Sequence, residues 1–142
     1  NLFYALDHAK LTNSDDIVFY SKELFAQKKY MTRLKEAIRE CVEEDCKGFR
    51  IVMQPIVETK SEVCDAAEVL LRFTHPEFGV ISPMDFIPIL ENSKEIIRVG
   101  KWVIDRSLQT LAGWREQIGH LPLKRLQINV SYVQFRDPEL LG

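Results

Sequence analysis

Apolar positions along this chain follow first one period and then another. Leu34, Ala37, Ile38, Cys41 and Val42 recur at helical spacing. Lys28, Lys29, Arg33, Lys35, Glu36 and Glu43 fill the other positions, which predicts an amphipathic helix over about residues 24–44. Asp45-Cys46-Lys47-Gly48 closes it, with Gly48 suited to a left-handed stop. The period then shortens to two. Residues 49–57 and 63–73 read as strands, and the short polar turn between them predicts an antiparallel hairpin. His75-Pro76-Glu77-Phe78-Gly79 reads as a loop. Ser82-Pro83-Met84-Asp85 starts a helix, with Ser82 as cap, Pro83 in the first turn and Phe86, Ile89 and Leu90 facing inward. Asn92-Ser93-Lys94 interrupts it. A longer helix is predicted over about 95–117, with Ile97, Ile104, Leu108 and Leu111 as one stripe. Ile96, Val99, Val103 and Trp114 widen that stripe. Residues 125–131 read as a third strand. The order strand, helices, strand implies a parallel crossover in an α/β sheet, of which this would be a fragment. At the front, residues 1–23 hold one short helix and one short β-type run, too little for a core, and read as a remnant.

The second strand has two unlike faces. Ala67, Val69, Leu71 and Phe73 share one, and Glu68, Leu70 and Arg72 the other. Glu68 and Arg72 are four residues apart, roughly 13 Å along the strand. The third strand repeats the design: Leu126, Ile128 and Val130 against Gln127, Asn129 and Ser131. Parallel neighbours could therefore bring Glu68 beside Asn129. The first strand adds Gln54, next to a Pro55 that fits an edge position or a bulge. Burying Glu68 without compensation costs several kcal/mol or forces protonation, and a bound cation removes that cost. Carboxylate and amide oxygens suit Mg²⁺, Mn²⁺ or Ca²⁺. The planar fork of Arg72 suits a phosphate. On spacing alone a structural Glu68–Arg72 ion pair, or a half-exposed strand face, fits as well. His75 reads as a loop residue, His8 and His120 have no partner nearby in sequence, and Trp102 and Trp114 read as core.

Composition narrows the classes. The chain has 142 residues, 46% hydrophobic and 28% charged, as a folded domain does and a disordered segment does not. Its 19 basic and 21 acidic side chains give a formal charge of -2, no electrostatic reason to expect a nucleic-acid polymer or an anionic membrane as partner. Cys41, Cys46 and Cys64 are odd in number and lack metal-type spacing, as expected of reduced cytoplasmic thiols. No apolar run approaches the roughly 20 residues of a membrane span. The first residue is Asn1, which suggests a piece of a longer protein, one that could carry a membrane anchor elsewhere.

From about Leu34 to Leu140 the sequence resembles the EAL family of bacterial signalling domains. The resemblance rests on Gln54-Pro55-Ile56-Val57, on Glu68-Val69-Leu70-Leu71-Arg72 for the signature Glu-Ala-Leu-Leu-Arg, and on His75-Pro76, Gly79, Ile81, Pro83 and Phe86-Ile87-Pro88. Gly100-Lys101-Trp102-Val103 and Asn129-Val130-Ser131 complete it. A shorter likeness, over Ala5 to Tyr20, is to the end of a GGDEF domain. The resemblance implies domains at 1–23 (GGDEF tail), 24–48 (linker helix) and 49–142 (first half of an EAL domain). The implied fold is a partial (β/α)8 TIM barrel with an antiparallel first strand. The implied activity is a phosphodiesterase that hydrolyses cyclic-di-GMP to linear pGpG with Mg²⁺ or Mn²⁺. Glu68 and Asn129 match metal ligands, Glu68 being catalytic in that sense, and Gln54, Leu70 and Arg72 match substrate contacts. A degenerate domain that binds cyclic-di-GMP without cutting it is the alternative. Val69 in place of the signature alanine is expected to be a packing adjustment. Met53 stands where Tyr is usual, and Asn92-Ser93-Lys94 replaces an acidic stretch ending in Gly. The family's other acidic ligands and its lysine lie on later strands, so the chain alone is expected to be inactive. Its exposed strand edges imply a homo-oligomer.

Overall fold

The computed structural model describes residues 22–137. Except for its last two residues, the segment 1–23 with its GGDEF likeness lies outside them. The chain divides into two compact units, Asn1–Ala37 and Ile38–Gly142. The elements are α1 (Lys22–Glu43), β1 (Phe49–Val57), β2 (Cys64–His75), β3 (Gly79–Ile81), α2 (Pro83–Ser93), α3 (Ile96–Ile118), β4 (Arg125–Ile128) and α4 (Tyr132–Phe135). Along α1 the apolar stripe expected from its spacing is buried at Leu34, Ala37, Ile38, Cys41 and Val42. Beyond it the backbone turns left-handed at Asp45 (φ 56) and Cys46 (φ 58) as well as at Gly48 (φ 80).

In the second unit, β2 is the middle of a mixed sheet. β1 runs antiparallel along one edge in a register from Phe49↔Phe73 to Ile56↔Ala66. The other edge is shared: β4 pairs parallel with Ala66–Val69, and β3 pairs antiparallel with Phe73–His75. The hairpin and the parallel crossover are those the pattern predicts. Pro55, which cannot donate to a ladder, lies on the edge strand β1. The strand β3 occupies part of the stretch read as a loop. Three residues are too few to show a period, and the pairing arises from the chain doubling back at Gly79 (φ 69).

One face of the sheet carries the core. Phe49 and Phe73, cross-strand partners, stack with centroids 4.2 Å apart, and Phe86 of α2 meets both edge-on at 5.8 and 5.9 Å. Such pairs add about 0.5–1.5 kcal/mol each beyond burial. Ser82 caps α2 by accepting from the Met84 N–H at 3.3 Å, and Phe86, Ile89 and Leu90 are buried as expected. The longer helix α3 differs from its expectation. Its buried line is Ile96, Val99, Val103 and Ser107, whereas Leu108 is 59% exposed. Two apolar stripes overlap on this helix. A polar residue can complete the buried one because the Ser107 hydroxyl donates to the Val103 carbonyl at 2.7 Å. Trp102 and Trp114 are half-buried rather than core, and the Arg106 guanidinium lies 5.4 Å from the centre of the Trp102 ring.

Candidate functional site

The second face of the sheet is polar. Cross-strand partners share a face, so the register sets rows across the three long strands. Gln54, Glu68 and Gln127 form one row. Two residues further along β2, Val52 pairs with Leu70; two more bring Arg50 opposite Arg72. Gln54, Gln127 and Asn129 are exposed, and Glu68, Leu70 and Arg72 are half-buried. Val69, the departure from the signature, is 3% exposed on the opposite, apolar face. A branched side chain there changes packing and leaves the polar face as it was.

Glu68 and Asn129 are brought together. Asn129 follows the end of β4, and its Nδ2 donates to Glu68 Oε1 at 2.7 Å across 61 residues of chain. Glu68 is not fully buried; it lies half-buried on an open sheet face. Nor does it pair with Arg72. The Arg72 Nη1 donates to the Leu71 carbonyl at 2.9 Å, and no carboxylate among the described residues forms an ion pair with Arg72.

The third strand is shorter than expected and ends at Ile128. Ser131 therefore leaves the polar face. It caps α4, its Oγ accepting from the Val133 N–H at 3.3 Å, while its own backbone N–H donates to Gln134 Oε1 at 2.8 Å. The Ser131 hydroxyl also donates to Glu91 Oε1 of α2 at 2.5 Å. Gln134 is 3% exposed and lies against the backbone of Gly100, where a Cβ would strike its amide. The turn just after Asn129 is thus held by α2 on one side and α3 on the other. Glu91 and Gln134 were invisible to spacing arguments: Glu91 is 40 residues from the Ser131 it holds, and Gln134 is hidden in a four-residue helix. Arg50 was within reach: counting the hairpin register back from Gln54 puts it opposite Arg72.

The donor set fits a hard divalent cation. Glu68 and Asn129 offer carboxylate and amide oxygens. Rotating the Asn129 amide exchanges its nitrogen for its oxygen on the Glu68 side. Among the described residues no group of three or more His, Cys, Asp or Glu assembles, so this pair is a partial shell. A cleft of about 400 Å³ lies between the sheet and α3; Arg72, Asn129 and Ser131 line it together with Val69, Val99 and Val103 of the apolar side, and Glu68 does not. His75, read from the sequence as a loop residue, is the last residue of β2, and its Nδ1 accepts from the Glu77 N–H of the following turn at 3.2 Å. His120, with Nδ1 3.1 Å from the Ile118 carbonyl, is likewise local.

Comparison with known proteins gives a family and several relatives. The EAL domain family matches residues 32–142. A cyclic di-GMP phosphodiesterase of Pseudomonas aeruginosa is 35% identical over 94 residues, covering 66% of this chain and 16% of the relative. The bifunctional diguanylate cyclase/cyclic di-GMP phosphodiesterase MucR of the same organism is 28% identical over 137 residues, covering 96% of this chain and 19% of its own length. Among solved structures, the PaMucR phosphodiesterase in complex with c-di-GMP superposes with a TM-score of 0.67 at 29% identity. That match covers 76% of this chain and 42% of the solved one. The chain thus spans less than a fifth of the curated relatives named here. No helix among the described residues is long and apolar enough to cross a membrane.

Proposed function

The chain belongs to the EAL domain family, part of a TIM-barrel-like fold, and on that premise we propose that it supplies the front of a metal-dependent cyclic-di-GMP phosphodiesterase site. One observation carries the reading: the 2.7 Å contact that joins Glu68 of β2 to Asn129 at the end of β4, on the polar face of the sheet. Asn129 follows the C-terminal end of β4, and Glu68 lies near the C-terminal end of the stretch Ala66–Val69 over which β2 pairs parallel with it, the end where barrel enzymes place their chemistry.

Mg²⁺ or Mn²⁺ would be held by Glu68 and Asn129, and when bound it would acidify water and offset charge on the phosphoryl oxygens. In hydrolysis the oxygen of water bonds to phosphorus and one P–O ester bond breaks. The leaving 3′-oxygen gains a proton, giving linear pGpG. Arg72, with most of its fork unused, binds a phosphate through paired N–H donors. Leu70, between Glu68 and Arg72 on the same face, packs against the ligand, and exposed Gln54, in register with Glu68, offers an amide to it. Mg²⁺ wants six oxygens, and two side chains cannot complete that shell. Turnover therefore belongs to the whole protein, and these 142 residues alone should show none.

The test uses full-length protein with cyclic-di-GMP and Mg²⁺ or Mn²⁺, resolving pGpG by chromatography and metal binding by calorimetry. Glu68→Gln is expected to lose about 100–1000-fold in kcat, the scale for removing one electrostatic group from an active site. Asn129→Ala should weaken metal binding, and EDTA should stop turnover. Wild-type turnover by Glu68→Gln would refute the proposal. Binding without hydrolysis by the wild type would assign a receptor instead.

A further inference from the structure

Arg50 of β1 lies directly opposite Arg72 of β2 in the antiparallel register, on the same polar face. Directly opposed side chains have Cβ atoms about 5 Å apart, and like charges so placed repel. Proteins usually answer such a pair with a carboxylate. Here ion pairs among the described residues lie elsewhere: Asp65 pairs with Lys124 at 3.0 Å, Asp45 with Arg106 at 4.0 Å, Asp137 with Lys101 at 3.8 Å, Glu43 with Arg39 at 3.0 Å and Glu44 with Lys47 at 2.6 Å. Glu68 is bonded to Asn129 and Glu91 to Ser131. Among the described residues neither Arg50 nor Arg72 has an acidic partner. Two forked cations facing each other, with no acidic partner among the described residues, are built for an anion.

We propose that Arg50 is a second phosphate-binding residue, forming with Arg72 a two-guanidinium clamp at the far end of β2 from Glu68. The proposal rests on the phosphodiesterase reading, which names the anion as a phosphate of cyclic-di-GMP. Glu68 and the arginine row are four residues apart on β2, roughly 13 Å. A ligand with two phosphates can answer both ends, one at the cation held by Glu68 and Asn129 and the other at the clamp. Arg50 contributes binding and orientation, and no step of the hydrolysis passes through it.

The experiment is calorimetric titration of metal-free full-length protein with cyclic-di-GMP and with pGpG, for wild type, Arg50→Gln, Arg50→Lys and Arg72→Ala. Thermal unfolding without ligand is measured on the same samples. Arg50→Gln is expected to weaken cyclic-di-GMP binding about tenfold, the usual scale for one charge-assisted contact. Arg50→Lys should fall between, keeping the charge and losing the fork. Because the opposed cations repel, Arg50→Gln should unfold at or above the wild-type temperature while binding more weakly. A residue with a purely structural role would move both readouts the same way. Unchanged cyclic-di-GMP affinity in Arg50→Gln, beside a clear loss in Arg72→Ala, overturns the clamp and leaves the functional reading intact. Wild-type protein that binds neither nucleotide, metal-free or with a divalent cation added, overturns the functional reading, and with it the ligand assigned here.

Discussion

Replacing Gly100 by alanine sets two effects of opposite sign against each other. Alanine is favoured over glycine inside a helix by about 0.8–1.0 kcal/mol, so an exposed Gly→Ala change in α3 would stabilise. At Gly100 the new Cβ would land on the amide nitrogen of Gln134, a side chain that is 3% exposed and borders the cleft beside α3. If Gln134 stays, the crowding costs about 1–3 kcal/mol. If it leaves, the Ser131 N–H loses its 2.8 Å acceptor and the cap of α4 is broken, a cost of about 1–3 kcal/mol for a partly buried bond. Either way the net change is about 0–2 kcal/mol destabilising, after the helix gain is subtracted. The assay is denaturant unfolding of the full-length protein, repeated for Gln134→Ala and for the double variant. The double variant should recover part of the loss, a coupling of about 1 kcal/mol between contacting residues. A Gly100→Ala protein as stable as wild type, with no coupling to Gln134, would refute the proposed role of this contact.

Two further predictions concern thiols and the Ser131 tether. Burial, with some help from Asp45 and against the pull of Arg98, pushes the Cys46 thiol up from the usual 9.0 to about 11, and burial raises Cys41 too. A raised thiol value favours the neutral folded form. The contribution of Cys46 is therefore intact below pH 9.0 and is lost as pH rises through about 11. Iodoacetamide at pH 8 should label exposed Cys64 first and spare Cys46, read by mass spectrometry; equal labelling of native protein would contradict this. Glu91→Ala removes the acceptor of the Ser131 hydroxyl, and is expected to weaken metal binding by about tenfold, the low end for an outer-shell partner. Glu91→Gln keeps an acceptor oxygen and should restore most of it; identical metal affinity in Glu91→Ala and wild type would dismiss the tether.

What could be read from the chain in advance was whatever depends on local period. The faces of β2 follow from alternation, so Glu68 and Arg72 on one side and Val69 on the other were legible. The parallel pairing of β2 with β4 followed from the crossover, and it put Asn129 within reach of Glu68. Long-range matters were illegible. Which of two apolar stripes α3 buries depends on where the sheet lies, and sequence period cannot choose between Leu108 and Ser107. The end of β4 at Ile128 depends on Ser131 finding Glu91, a residue whose own helix shows only Phe86, Ile89 and Leu90 as inward. The brief pairing of β3 is too short for any pattern. Even the openness around Glu68 is a matter of tertiary closure rather than of its neighbours along the chain.

The alternation of β2 also limits how genes of this lineage can change length. Its two edges are fixed by three partners in set registers. One codon gained or lost between Glu68 and Arg72 would swing the guanidinium into the Phe49, Phe73 and Phe86 cluster and push an apolar side chain out in its place. The polar turn after Val57 carries no such penalty and can absorb insertions. Drift in the spacing of the two functional groups is therefore barred in odd steps, whereas the hairpin tip is free to lengthen.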